Sequence, residues 1–265
     1  MRFAIVLMLA VSLVLSVAAG AASAYDDKAE IISLAGEVSV LPSGKSEWIK
    51  AGVGMVLRRG DEIKTGSGSS CDIAFDKEGD NVVSVLMDSD VAILLDKNEK
   101  IELVNASIYA KVKSLPSGST FEVRSPTAVC GARGTGFGVK GDQDSTEATA
   151  YQKGIFARNN SGEEKNIGEG FMRKVDKAGR ISDLISVKLE KMQSFGNWSR
   201  SIGKVINSYK KSHSKKMDRF SGRAEKIIER TEQVVEKEDE RNIEKREDRI
   251  DSSSGGQETG YHTKS

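Results

Sequence analysis

Between about Ile31 and Ser182 the chain is written as short apolar runs broken by Gly, Asp, Asn and Ser at intervals of about ten residues. That cadence constrains the fold more than any other feature. Short runs bounded by turn residues build antiparallel sandwiches or barrels and leave no room for long helices. Strands are predicted over 37–41, 54–57, 62–65, 70–75, 82–87, 91–95, 100–104, 107–112, 120–124, 136–139, 147–152 and 155–158. The alternation is cleanest where Cys71, Ile73 and Phe75 share one face and Asp72 and Ala74 the other, the pattern of a half-buried antiparallel strand. Pro42-Ser43-Gly44, Gly66-Ser67-Gly68, Pro116-Ser117-Gly118 and Ser161-Gly162 supply the turns.

After Ser182 the period changes. Phe195, Trp198, Ile202, Val205 and Tyr209 recur at helical spacing, and Met217, Phe220, Ala224, Ile227, Thr231 and Val234 resume it after a longer step. Both stretches read as amphipathic helix with a narrow apolar seam. At the step between Tyr209 and Met217 the seam either drifts around the helix or the chain turns, and Gly203 and Gly222 are weak points. From Ser199 to Lys226 nine bases face two acids, whereas from Glu229 to Asp251 ten acids face six bases. The Phe195–Tyr209 seam is expected to pack within the chain, and the helix beyond Met217 to remain more exposed and associate with a partner. The end, from Ser252-Ser253-Ser254-Gly255-Gly256, is low in apolar residues and is expected to be disordered.

The N-terminus indicates the compartment. Arg2 precedes the apolar run Phe3 to Val17, and Ala22-Ser23-Ala24 forms a small-x-small site. This reads as a secretory signal cleaved after Ala24 to leave Tyr25, the alternative being an uncleaved anchor helix. With the signal removed, no further membrane span is expected, and a bacterial periplasmic or secreted location follows. The expected organisation is signal 1–24, β domain 25–183, charged helical extension 184–250 and disordered tail 251–265.

Composition removes several function classes. Lys and Arg number 40 against 39 for Asp and Glu, so no net charge favours nucleic acid. Two histidines, His213 and His262, and two cysteines, Cys71 and Cys130, cannot build a multi-ligand Cys/His zinc cage. Both histidines lie in the tail, away from any serine of the β region, which argues against triad chemistry. Gly131, Gly134, Gly136 and Gly138 form neither Gly-x-Gly-x-x-Gly nor a loop ending in Gly-Lys-Ser/Thr, and no helix follows to receive a phosphate. Asp88 and Asp90 around Ser89 read as a turn in preference to a glycosidase pair, and calcium-loop spacing is missing. No cofactor, metal or catalytic residue is expected. Export would place Cys71 and Cys130 in an oxidising compartment; they are read either as a disulfide or as two buried unpaired thiols.

One resemblance is specific. Gly36-Glu37-Val38-Ser39-Val40, Trp48, Gly54, Gly60-Asp61-Glu62-Ile63-Lys64-Thr65-Gly66, Phe75-Asp76 and Phe121-Glu122-Val123-Arg124-Ser125-Pro126-Thr127-Ala128 lead into Arg133-Gly134-Thr135-Gly136-Phe137. Over about residues 31–182, with Gly154-Ile155-Phe156 and Ile167-Gly168-Glu169-Gly170 as closing strands, the chain resembles the FecR domain family. The resemblance implies a mainly β, extracytoplasmic domain, an antiparallel sandwich or short solenoid-like build, acting in sensing or protein interaction. Arg133, Gly134 and Thr135 carry the family signature; Arg133 is either a ligand contact or a cap on sheet-end carbonyls. The family's iron-uptake regulators resemble a cytoplasmic anti-sigma segment, a membrane span, this domain and a receptor-binding domain. With only Arg2 ahead of the apolar run, no cytoplasmic arm is expected here, and the charged helix has no counterpart in that pattern.

The expected protein is thus a non-enzymatic, exported β domain with a C-terminal α-helical extension. It would engage an envelope protein or a cell-wall polymer, or alternatively relay a periplasmic event to a membrane regulator.

Overall fold

A computed structural model describes residues 29–95, 99–113, 115 and 117–254. The signal segment with Ala24, and the tail from Gly255 with His262, lie outside the described residues. By its internal contacts the chain forms two compact units, the first ending at Lys210 and the second beginning at Lys211.

In the first unit, seventeen strands among the described residues form two sheets. Sheet A runs, in spatial order, β4 (Val56–Leu57), β1 (Ala29–Ala35), β6 (Ser70–Ala74), β7 (Asn81–Val85), the second half of β9 (Glu99–Val112), β12 (Gly136–Gly141), β13 (Ser145–Ala150), β16 (Phe171–Asp176) and β17 (Ile185–Ser186). Sheet B runs β3 (Ile49–Lys50), β2 (Val38–Leu41), β5 (Glu62–Thr65), β8 (Ser89–Ile93), the first half of β9, β10 (Phe121–Arg124), β11 (Ala128–Ala132), β14 (Ile155–Asn159) and β15 (Glu164–Ile167). The fold is therefore the expected β-sandwich, in which successive hairpins alternate between sheets. Only the β9–β10 pairing is parallel among the described pairs.

Strand β9 belongs to both sheets. The sequence predicts two strands, 100–104 and 107–112; the structure joins them. Asp90 pairs with Asn105 and Val91 with Leu103, so Val104 is a bulge residue. Bulges bend strands, and this one sits where β9 leaves sheet B for sheet A. The inward faces of both sheets share one apolar core, including Ile31, Leu57, Ile63, Ile73, Ile93, Ile101, Leu103, Ile108, Phe121 and Phe137. Cys71 and Cys130 are buried in it on β6 and β11, which lie in different sheets, and both thiols are free. Burial pushes each thiol up to about 12. Asp88 adopts φ 55 in the turn before β8, and Asp90 lies on β8, ion-paired with Lys64 at 3.4 Å.

Helix α1 spans Leu189–Ser254. It is continuous through Gly203, Gly222 and the long step after Tyr209, so the chain does not turn there. It starts later than residue 184, because Ile185–Ser186 pair with Met172 and Phe171 as β17, and it runs beyond residue 250. Within the first unit, its Phe195, Trp198, Ile202, Val205, Ile206 and Tyr209 lie on the outer face of sheet A. Ala74, on the polar side of its strand's alternation, is buried for this reason, together with Ile32 and Val82. Burying Phe195 and Ile202 contributes about 1.5–3 kcal/mol each.

Candidate functional site

The two outer faces of the sandwich are built differently, and the glycine-rich stretch Gly131–Gly138 sets both. On sheet A, β12 offers no side chain at Gly136 or Gly138. A Cβ at Gly136 would stand 2.5 Å from Cζ of Phe195, so the bare backbone is the floor on which that ring rests. Phe195 stacks on Tyr151 at 4.3 Å between centroids and meets Tyr109 edge-on at 5.4 Å. Trp198 lies 5.0 Å from Phe195 and donates from Nε1 to Ser84 Oγ at 2.7 Å. Ser84 in turn donates to Asp72, whose carboxyl is held above its ordinary range by burial, against the hydrogen bonds of Ser84 and Ser33. Further along, Tyr209 donates to Glu30 at 3.2 Å and Lys210 pairs with Asp80 at 2.9 Å. Partial burial pushes the Asp80 carboxyl upward, but Lys210 and Lys113 outweigh it and hold the group below its usual range. This face is filled by the chain itself.

Sheet B carries a groove of about 610 Å³ across β10, β11, β14 and β15. Register places Glu122, Gly131, Phe156 and Asn166 in one row and Arg124, Val129, Arg158 and Glu164 in the next. Here too a glycine makes the shape. A Cβ at Gly131 would meet the Phe156 ring at 2.4 Å and Glu122 Cγ at 3.0 Å, so the aromatic ring lies down over the backbone. Arg158 sits over that ring, 5.4 Å from its centroid, and bridges two carboxylates, Glu122 at 3.2 Å and Glu164 at 3.4 Å. Glu122 is buried and also accepts from Thr120 Oγ1 at 2.7 Å.

Arg133-Gly134-Thr135 is the passage between the two faces. Strand β11 ends in sheet B at Ala132 and β12 begins in sheet A at Gly136, so the chain changes sheet within three residues. Gly134 has φ +98, a backbone conformation that side-chain-bearing residues resist. The Thr135 carbonyl accepts from Val112 N at 2.9 Å, while its buried hydroxyl has no partner among the described residues. Arg133 is exposed at the groove and makes no hydrogen bond or ion pair among the described residues. Of the two sequence readings of Arg133, the carbonyl cap has no acceptor among the described residues. Sequence reasoning named Arg133 but missed Glu122, Phe156 and Arg158; their common face follows only from the β11–β14 pairing, and no motif marks it.

No group of three His, Cys, Asp or Glu side chains among the described residues is placed to hold a metal ion. No helix among them is long and apolar enough to cross a membrane.

Residues 61–153 of this two-sheet β domain match the FecR protein family model. The match runs from the start of β5 to just beyond β13, and so includes the crossing but not β14 and β15 of the groove. No curated protein matches the chain. Two crystal structures of a proposed anti-sigma factor from Parabacteroides distasonis, at 1.65 and 2.50 Å resolution, are similar at 16% identity and a TM-score of 0.42. Each match covers 51% of this chain and 63% of the other, less than two thirds of its length.

Proposed function

We propose that this FecR-domain protein is a non-enzymatic, extracytoplasmic binding or assembly module that engages an envelope protein or a cell-wall polymer through the groove of sheet B. The observation that carries the reading is the groove's construction. An exposed arginine, with no hydrogen bond or ion pair among the described residues, stands beside a shelf of Phe156 and Arg158 stacked over bare backbone. Arginine over an aromatic surface suits the capture of carboxylate-bearing or planar polar groups. Catalysis is not supported by the same geometry, because Glu122 is committed to Thr120 and Arg158, and no histidine lines the groove. Export rests on the N-terminal leader read from the sequence.

The family match supports a second reading, a component that relays an envelope event to a membrane regulator. Both are tested by presenting the chain from Tyr25, and its Arg133→Glu variant, to purified sacculi and to solubilised envelope proteins. Retention of sacculi or of a structural envelope protein, lost in the variant, supports the binding module. Retention of a membrane regulator supports the relay. Equal retention by both chains removes the groove from the account, and release of soluble glycan fragments would show that the protein is an enzyme.

A further inference from the structure

The groove of sheet B is emptied by glycines on the side where Arg133 stands. One residue beyond the row of Phe121, Ala132, Ile155 and Ile167, the chain runs on to Thr120, Arg133, Gly154 and Gly168, and all four line the groove. Two of them carry no side chain. A Cβ at Gly168 would find nothing within 4 Å, and one at Gly154 would meet only the Ile167 carbonyl oxygen, at an ordinary 3.5 Å. Unlike Gly131, these glycines seat no ring of the chain's own, so the floor beside Arg133 is open backbone. The whole groove, about 610 Å³, lies within the range of roughly 300–1,000 Å³ for sites that take a small ligand.

The chemistry around that floor selects among ligands. Arg158 lies over the Phe156 ring, which itself rests on the Gly131 backbone, so the ring offers no open face for the apolar side of a sugar. What the shelf presents is a guanidinium plane, a surface on which a planar amide stacks. The charge of Arg158 is met by Glu122 and Glu164, whereas Arg133 makes no hydrogen bond or ion pair among the described residues. A guanidinium left in this way takes one carboxylate through two parallel hydrogen bonds. A polyanion would bring further negative charge against Glu122 and Glu164. We propose that the groove holds the C-terminal end of a peptide, with its terminal carboxylate on Arg133, its backbone across the bare positions at Gly154 and Gly168, and an amide plane against Arg158. This rests on the reading of sheet B as the binding surface and narrows its ligand to a peptide terminus, that of a protein or of a peptide borne by a wall polymer.

Amide NMR titration of the chain from Tyr25 tests this with mixtures of N-acetyl tripeptides of randomised sequence, and with chitotetraose. Tripeptides ending in an L-residue stand for a protein terminus, and those ending in a D-residue for a wall peptide. At least one of the two mixtures should shift the amides of Arg133, Gly154 and Gly168, and converting its carboxylate to the amide should weaken binding at least about tenfold. Arg133→Gln should weaken the free acids to the same degree and leave the amides unchanged, a pairing that general damage to the groove would not produce. Gly168→Leu, whose side chain enters open space, should block both forms while keeping the thermal melt of the parent. Amides that bind as tightly as the acids, an Arg133→Gln chain that loses both forms equally, or a Gly168→Leu chain that binds as the parent does would overturn the peptide terminus. So would chitotetraose shifting the same amides in preference to the tripeptides, although the groove would then stand as a binding surface. Absence of shifts with every probe also overturns the proposal, and the groove reading falls with it only if sacculi and envelope proteins are retained equally by the parent and Arg133→Glu chains.

Discussion

If Gly136 is bare because Phe195 rests on it, adding one methyl should be harmful only while the ring is present. The Gly136→Ala side chain would stand 2.5 Å from Phe195 Cζ and 2.8 Å from Gln152 Oε1. The glutamine can move. The ring cannot move freely, being 3% exposed, stacked on Tyr151 and held between Tyr109 and Trp198. Overpacking of this kind costs about 1–3 kcal/mol. Phe195→Ala alone removes a buried aromatic and should cost about 3–5 kcal/mol at most, less where the helix settles into the gap. In the Phe195→Ala background the methyl at position 136 meets only the movable Gln152 amide, and the strand loses a glycine, so Gly136→Ala should become stabilising by roughly 0.5–1 kcal/mol. The sign reversal is the signature. The coupling between the two sites should be about 1.5–4 kcal/mol, in the upper part of the roughly 0.5–3 kcal/mol known for residues in contact or somewhat above it. Urea denaturation of the four chains, followed by the fluorescence of Trp198 at the interface, measures it. If Gly136→Ala costs the same with and without the Phe195 ring, the glycine serves the strand and not the helix seat, and the reasoning fails.

Three other outcomes are expected. Asp72 has a carboxyl raised by burial, so its contribution favours the folded state below the unfolded carboxylate range and is lost as pH rises through the raised folded value; Asp72→Asn, which can still accept from Ser84, should show a smaller gain in stability on mild acidification than the parent, measured as the difference between the two thermal-melt profiles against pH. Cys71 and Cys130, with thiols pushed up to about 12, should resist an alkylating reagent in the native protein and both react in non-reducing denaturant; failure to react after unfolding would reveal a bridge. Ending the chain after Ser214 keeps the whole first unit and should shift Tm by no more than about 2–4 °C, whereas ending it after Asp183 strips Phe195 and Ile202 from sheet A and should lower Tm by several times that.

Much of this architecture is legible in the sequence, for an identifiable reason. Turn glycines and two-residue alternation are local signals, so β5, β6 and β14 fall within a residue of their expected ends. The misses are those where a distant partner decides. Strand β11 reads as small residues, Ala128 to Ala132, with little strand signal, and extends because β10 and β14 flank it on both sides. Ala74 looks like an outward residue until the helix covers it. The helical seam from Phe195 to Tyr209 indicates that something apolar must be found, but not that Gly136 and Tyr151 provide it. The groove is less legible still. Glu122 and Arg158 are remote in sequence, and their ion pair depends on β10, β11 and β14 being consecutive in sheet B.

The signature residues gain a physical meaning from this placement. Gly131 belongs to the outer face of sheet B and Gly136 to that of sheet A, with Arg133, Gly134 and Thr135 joining the end of β11 at Ala132 to the start of β12. One glycine admits Phe156 and shapes the groove; the other admits Phe195 and seats the helix; the positive φ of Gly134 makes the crossing short enough for both. A side chain at any of the three would be resisted for a different reason: contact with Phe156, backbone strain, or contact with Phe195. The glycine-rich stretch, whose spacing excludes a phosphate loop, is therefore a corner whose two ends serve opposite surfaces. Arg133 is the one member of the corner that the fold does not use, since its side chain bonds to nothing among the described residues, and that is why the groove reading rests on it.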